Sequence, residues 1–283
     1  MSKKTSIVIV NYNDSDTTIR LLNNIKDYKC LSKIVVVDNN SSDNSYEILK
    51  KYSSKKITIL KNDNRHFSSG LNVGAKYIIK EIGESNIIFS NSDVTIDSEK
   101  DIIRLSDDIK DDIVVVGPNI DEHGSLNRGW KLPSTNHEIC NNLILISRYF
   151  RNKLKYDDNY YKDDITYVDV VSGCFFMVDS NFLKKVNYFD ENTFLYYEEQ
   201  ILSCKVKDKN KKVIVDNRVT IKHDHSTTVD KSIKRVNKHK ITKASQRYFC
   251  KNYLKANPIQ MGLLHITDKI FLLTLYIRSV FRI

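Results

Sequence analysis

Ser6-Ile7-Val8-Ile9-Val10-Asn11-Tyr12-Asn13 and Lys33-Ile34-Val35-Val36-Val37-Asp38-Asn39-Asn40-Ser41-Ser42-Asp43 share one pattern: a β-branched run ending abruptly in Asn, Asp and Ser. A strand with one wet face alternates apolar and polar residues, whereas continuous Val/Ile runs suit strands buried on both faces. Such strands belong to a parallel sheet covered by helices. Between the two runs, Asp14 and Ser15 can cap a helix that continues to Ile25. The unit is strand, helix, strand.

Outward from this unit the rhythm repeats, with helices expected over 45–51, 71–81 and 98–109 and strands over 57–61, 86–90 and 113–117. After Gly117-Pro118 it breaks. Residues 120–165 read as a hairpin turning at Glu122-His123-Gly124, a loop, and one helix around 139–150. An apolar strand over 167–178, interrupted at Ser172-Gly173, restores order. A short helix, the segment 189–207 and strands at 213–215 and 219–222 follow, and from Asp230 the chain reads as helical and basic.

With 283 residues, 41% hydrophobic and 28% charged, the chain can bury a sizeable core and is neither a disordered polyampholyte nor a membrane bundle. Cys30, Cys140, Cys174, Cys204 and Cys250 are scattered without a C-x-x-C, which indicates neither a disulfide framework nor a zinc ribbon and suits a reducing cytoplasm. The polar start, Met1 to Thr5, lacks a signal-peptide apolar region. The apolar stretch 270–276 is bracketed by Asp268, Lys269 and Arg278, short of the roughly 20 residues a membrane span needs. A net charge of +10 suits nucleic acid, an anionic membrane surface or an anionic substrate, but no nucleic-acid recognition motif accompanies it.

Ligands of such sheets bind beyond the carboxyl ends of the strands. Four polar sets stand there: Asn11-Tyr12-Asn13, Asp38 to Asp43, Asn62-Asp63-Asn64 and Asn91-Ser92-Asp93. Each alone reads equally as turn and cap residues; together they line one polar crevice. Neither G-x-G-x-x-G nor a P-loop follows the first strand. Any phosphates therefore call for a divalent cation, Mn²⁺ or Mg²⁺, which Asp93 can hold with His223 or His225 completing the shell. In Phe194-Leu195-Tyr196-Tyr197-Glu198-Glu199-Gln200, aromatic neighbours desolvate a carboxylate, raising its pKa toward that of a general base. The same acidic pair also suits a helix N-terminus. Trp130 is a sugar-stacking platform or a core residue.

In this order, these pieces resemble the family 2 glycosyltransferases of GT-A fold, especially the branch of bacterial rhamnosyltransferases and related polysaccharide enzymes. The resemblance rests on 6–13, 36–43, Asn64 with 67–74, 89–93, Gly173 with Phe189-Asp190, and 196–199. It implies a catalytic domain over 1–229, with a nucleotide-binding half (1–117) and an acceptor-binding half (118–229), plus a helical extension over 230–283. Tyr12 and Asn13 would border base and ribose, with Asp38 accepting from the base. Phe67, Gly70 and Asn72 would close over the nucleotide. Asn91-Ser92-Asp93 stands at the family's D-x-D position, so Ser92 and Asp93 would meet the diphosphate and Asn91 replaces the first carboxylate. Gly173 and Cys174 would lie near the donor sugar. Glu199 matches the base of the family's Glu-Asp motif, with Glu198 in reserve and Ile201 where relatives carry a further Asp. His223 matches a His that binds metal or diphosphate.

The implied reaction is inverting transfer from a dTDP- or UDP-sugar to a surface-polysaccharide or lipid-linked glycan acceptor, as in capsule synthesis. A non-catalytic nucleotide-sugar-binding scaffold is the alternative, and a nucleotidyltransferase a third, lacking its usual Gly-rich loop. Lys231, Lys234, Arg235, Lys238, Lys240, Lys243 and Arg247 precede the apolar-rich 259–281. A basic helix followed by an amphipathic one suits peripheral contact with the cytoplasmic face of the membrane. It equally suits a helix pair packed on the catalytic domain or pairing in a homodimer.

Overall fold

The computed structural model describes residues 3–64, 66–224 and 235–281. Strand and helix alternate through β1 (Lys4–Asn11), α1 (Ser15–Ile25), β2 (Leu31–Asp38), α2 (Ser45–Lys50), β3 (Ile57–Lys61), α3 (Phe67–Ile82) and β4 (Ser85–Ser90). Then come β5 (Val94–Thr95), α4 (Glu99–Asp107), β6 (Ile113–Glu122), β7 (Ser125–Asn127), α5 (Thr135–Asn141), α6 (Ile144–Leu154) and β8 (Ile165–Val168). The chain continues with β9 (Phe175–Asp179), α7 (Ser180–Lys185), α8 (Glu198–Asp208), β10 (Lys212–His223), α9 (Arg235–Asn252) and α10 (Pro258–Phe281).

One sheet runs β3-β2-β1-β4-β9-β6-β10-β5, with β7 paired to β6 and β8 to β10. β3, β2, β1 and β4 are parallel, as are β6 and β10; β9 runs antiparallel to both β4 and β6. The continuous apolar runs are buried on both faces. Ile7, Ile9, Ile34 and Val36 enter one core, while Val8, Val35 and Val37 enter the other. α3 lies close on β1 because Gly74 has no side chain; a Cβ there would collide with Val8.

The sheet explains where the chain departs from its expected elements. The 71–81 helix begins earlier, at Phe67, which puts Phe67 and Gly70 on its first turn. The 113–117 strand continues through Pro118 to Glu122, and the two short strands expected at 213–222 are one strand with an irregularity between Asp216 and Thr220. Proline donates no ladder hydrogen bond, so β10 bulges opposite Pro118 and resumes pairing at Asn119. The interruption at Ser172-Gly173 divides strands with different neighbours: β8 pairs β10, and β9 pairs β4 and β6. The single helix around 139–150 is two, α5 and α6.

α9 and α10 do not form a separate body. Phe249, Cys250 and Leu264 share a core with Ile139 of α5 and with Ile201 and Cys204 of α8. The departure at Ile201 thus has a packing reason: the side chain is buried against the C-terminal helices. Asp190 accepts hydrogen bonds from Tyr248 Oη at 2.8 Å and Tyr253 Oη at 2.5 Å.

Candidate active site

Antiparallel β9 decides what meets at the sheet edge. Its N-terminal end lies beside the C-terminal end of β4, where Asn91 N–H donates to the Cys174 carbonyl at 2.8 Å. The parallel pair β6 and β10 ends at the same edge and delivers Glu122 and His223. β5 pairs antiparallel with the end of β10, His223 opposite Val94, which brings Asp93 next to His223.

His223 Nε2 lies 3.2 Å from Asp93 Oδ1, and Nδ1 lies 3.5 Å from Glu122 Oε1. His223 is buried and the Asp93 side chain is 10% exposed. Burial disfavours the imidazolium, but hydrogen bonds to Asp93 and Cys174 outweigh it and push the His223 pKa up to about 11. A cavity of about 60 Å³ beside Asp93 is lined by Arg20, Asn24, Ser92, Thr95 and Asp224 among others. Glu122 was read from the sequence only as part of a hairpin turn, because the β6–β10 register that sets it beside His223 is not a local signal.

The acidic pair stands on the first turn of α8. Tyr196 and Tyr197 precede it in the left-handed region, at φ of 72° and 74°, a conformation non-glycine residues adopt at a cost. That sharp entry aims Glu199 at the strand edge: a Cβ on Gly173 would stand 3.5 Å from its carboxyl group. Burial raises the Glu199 pKa to about 7. Glu198 is buried, its Oε2 without a hydrogen-bond partner; burial and then the neighbouring Glu199 charge hold its pKa well above the usual range. Gly173-Cys174 thus joins two segments, Gly173 facing Glu199 and Cys174 O accepting from Asn91 N–H, two residues before Asp93.

The other three polar sets are stitched together on the β1–β2–β3 side. Asn13 Oδ1 accepts from Ser42 N–H at 2.8 Å, and Asn62 Nδ2 donates to Asn39 Oδ1 at 2.6 Å. Tyr12 and Asn13 are half-buried, open enough to border a ligand.

Three of the residues expected at the nucleotide have partners within the chain. Asp38, expected to accept from a base, is fully buried; Oδ1 accepts from Ser41 N–H, and Oδ2 from Asn11 Nδ2 and Ser41 Oγ. It organises the 38–43 loop. Asn72, expected to close over the nucleotide, donates through its amide to Phe189 O and Glu191 Oε1, tying α3 to the segment before α8. Gly70 is buried against Val10 and Asn39, serving helix-on-sheet packing. Phe67 is half-buried, its N–H donating to Phe194 O at 2.9 Å.

Ser92 is buried next to Asp93. Trp130 bridges Val170 and Lys155 through its backbone, on the approach to Gly173. His225 lies outside the described residues.

For a divalent cation, one carboxylate and one imidazole 3.2 Å apart, with a second carboxylate at the far ring nitrogen, make a donor set of the right chemistry for Mn²⁺. Among the described residues no cluster of three or more such side chains is arranged to enclose an ion. The fit is that of an open site, whose remaining positions a diphosphate would fill.

The fold is that of the GT-A glycosyltransferases. A mannosyltransferase from Pyrobaculum calidifontis, solved with GDP-Man and Mn²⁺, superposes with a TM-score of 0.59 at 12% identity, covering 99% of this chain and 76% of that one. S. aureus TarS 1–349 in complex with UDP-GlcNAc superposes at 0.57 and 17% identity, covering 92% and 70%. The chain belongs to glycosyl transferase family 2, whose model matches residues 6–186. A curated relative, the low-salt glycan biosynthesis hexosyltransferase Agl10 of Haloferax volcanii, is 26% identical over 196 residues, 69% of this chain. The chain spans 58% of that relative's length.

Proposed function

We propose that this protein is an inverting glycosyltransferase that moves a hexose or deoxyhexose, such as rhamnose, from a dTDP- or UDP-sugar to a hydroxyl of a surface-polysaccharide or lipid-linked glycan. The observation carrying this reading is the Gly173-Cys174 junction, which sets a carboxyl group with a pKa of about 7 at the same strand edge as Asp93 and His223.

Glu199 takes the proton of the acceptor hydroxyl as that oxygen attacks the anomeric carbon from the face opposite the diphosphate, whose bond to that carbon breaks as the nucleoside diphosphate leaves with the electron pair. No covalent intermediate forms. Burial and the charge beside it raise the Glu198 pKa, which disfavours a second negative charge as the acceptor approaches. Gly173 leaves the space in front of the carboxylate open. Tyr12 and Asn13 border base and ribose, and Ser92 lies next to the diphosphate. Asp93 and His223 would hold Mn²⁺ or Mg²⁺, which when bound neutralises the diphosphate charge; a proton must leave His223 for it to act as a ligand. Trp130 flanks the acceptor. The reaction takes place in the cytoplasm, which the five free cysteines suit.

The test is incubation with nucleotide-sugars, Mn²⁺ and glycan acceptors, with Glu199→Gln and Asp93→Ala as variants. Undiminished turnover in both would remove the assigned roles. A non-catalytic nucleotide-sugar-binding scaffold is the second reading, favoured by Asn91 standing where a carboxylate is customary. Calorimetric donor binding with no turnover across a broad donor and acceptor panel would select it.

A further inference from the structure

The net charge of the chain is concentrated at one end. Residues 230–283 hold twelve Lys and Arg against two Asp, which accounts for the whole formal charge of +10; residues 1–229 carry 33 of each sign. The catalytic core is neutral and the extension strongly basic.

Within that extension, α10 faces two ways. Leu264 and Thr267 are buried, Asp268 pairs with His239 and Arg247, and Phe271 stacks on His239. Away from these contacts, Ile259, Leu263, Ile266, Ile270 and Leu273 are between 41% and 75% exposed. Their spacing of four, three, four and three residues places them in one apolar stripe along the helix. Toward its end the helix stops being one-sided. Leu272, about 100° around from Leu273, is also 45% exposed, and the sequence runs on as Leu275-Tyr276-Ile277.

We infer that α10 lies on the surface of an anionic phospholipid bilayer, with its apolar stripe among the acyl chains and the basic residues of the extension against the headgroups. Charge complementarity selects this occupant. A second copy would bring two extensions of +10 together, and one opposing helix covers a single stripe, leaving Leu272 in water. A bilayer surface covers apolar residues on several sides and gains from every nearby Lys and Arg. No described helix is long and apolar enough to cross a membrane, so the contact is peripheral.

The inference stands apart from the transfer reading, because lipid binding is measured without donor or acceptor. The full-length chain is sedimented with phosphatidylcholine vesicles and with vesicles containing 30% phosphatidylglycerol. Partitioning onto the anionic vesicles should be about tenfold or more higher, and should fall steeply between about 0.1 and 0.5 M salt as screening shortens. Ile266→Glu/Leu273→Glu, at exposed positions, should abolish it while leaving the thermal melt unchanged. Lys240→Glu/Lys251→Glu, also exposed, should weaken it only on anionic vesicles. Equal partitioning onto both vesicles, or none, would overturn the inference. So would a dimer in light scattering that the Ile266/Leu273 variant dissociates without any vesicle binding, since that result assigns the stripe to a second copy.

Discussion

The Glu199 carboxyl group faces Gly173: a Cβ built on that glycine would stand 3.5 Å from it. The contact joins the first turn of α8 to the start of β9, segments that neither pairing nor sequence proximity connects. Strand pairing sets the Asp93–His223 pair near the same end of the sheet, since the residue after Gly173 accepts through its carbonyl from Asn91 N–H, two residues before Asp93.

Glu199→Gln should lower kcat by about 100- to 10,000-fold, the range for loss of a general base, while calorimetry finds donor affinity unchanged. Glu198→Gln, replacing a carboxyl group already neutral, should keep most of the activity. If Glu198→Gln is the more damaging change, the base has been assigned to the wrong residue.

Glu199 must be ionised to accept a proton, so kcat/KM should rise with pH and level off above about 7. Stability should follow the opposite course. The carboxyl pKa rises from an ordinary 4.5 to about 7 on folding, so the unfolded chain releases this proton first. The group's effect on stability is therefore most favourable below about 4.5, declines as pH rises through this window, and is constant above it. Glu199→Gln cannot ionise and should raise Tm at pH 8 more than at pH 4, which differential scanning calorimetry can measure.

If Asp93 holds the metal as proposed, Asn91→Asp adds a carboxylate two residues away and should tighten Mn²⁺ binding by about tenfold, and Asp93→Asn should weaken it. Titration calorimetry with Mn²⁺ and nucleoside diphosphate reads both directions. Chelation of the metal should reduce nucleotide affinity in the parent and have little effect in Asp93→Asn. A nucleotide affinity indifferent to the metal in every variant would dismiss the Asp93 site.

Two helix-interior glycines should respond in opposite senses. At Gly74 a Cβ collides with Val8, so Gly74→Ala should cost about 1–3 kcal/mol despite its better helix propensity. At Gly262 a Cβ meets nothing within 4 Å, so Gly262→Ala should gain about 0.5–1 kcal/mol. Urea denaturation of the two variants compares the signs directly.

Asp190 fastens α9 to the segment before α8. Burial raises its pKa, but hydrogen bonds from Tyr253, Asn192 and Tyr248 outweigh this and hold it below the usual carboxylate range. Tyr248→Phe/Tyr253→Phe should cost about 1.5 kcal/mol per lost bond, measured by chemical denaturation. A chain ending at residue 229 exposes Ile201 and Cys204 and should aggregate or melt non-cooperatively.

Local chemistry wrote much of this fold into the sequence. The β-branched runs at 6–10 and 34–37 carry their own double burial, Asp14 its own cap, and the Asn/Asp/Ser sets their place at strand ends, because each depends on residues within a turn or two. The order of acidic and polar motifs was equally legible and marked the family. Tertiary structure alone decided which polar residues are enclosed and what they bond to. Asp38 and Asn72 are both buried, bonded to residues brought in by neighbouring strands or by a distant loop. Glu122 gave no signal, since its position beside His223 follows from the pairing of strands about 100 residues apart. The reversal of β9 likewise lies in no residue: it follows from how the sheet closes its hydrogen bonds, and it brings Cys174 beside the end of β4 and Gly173 in front of Glu199.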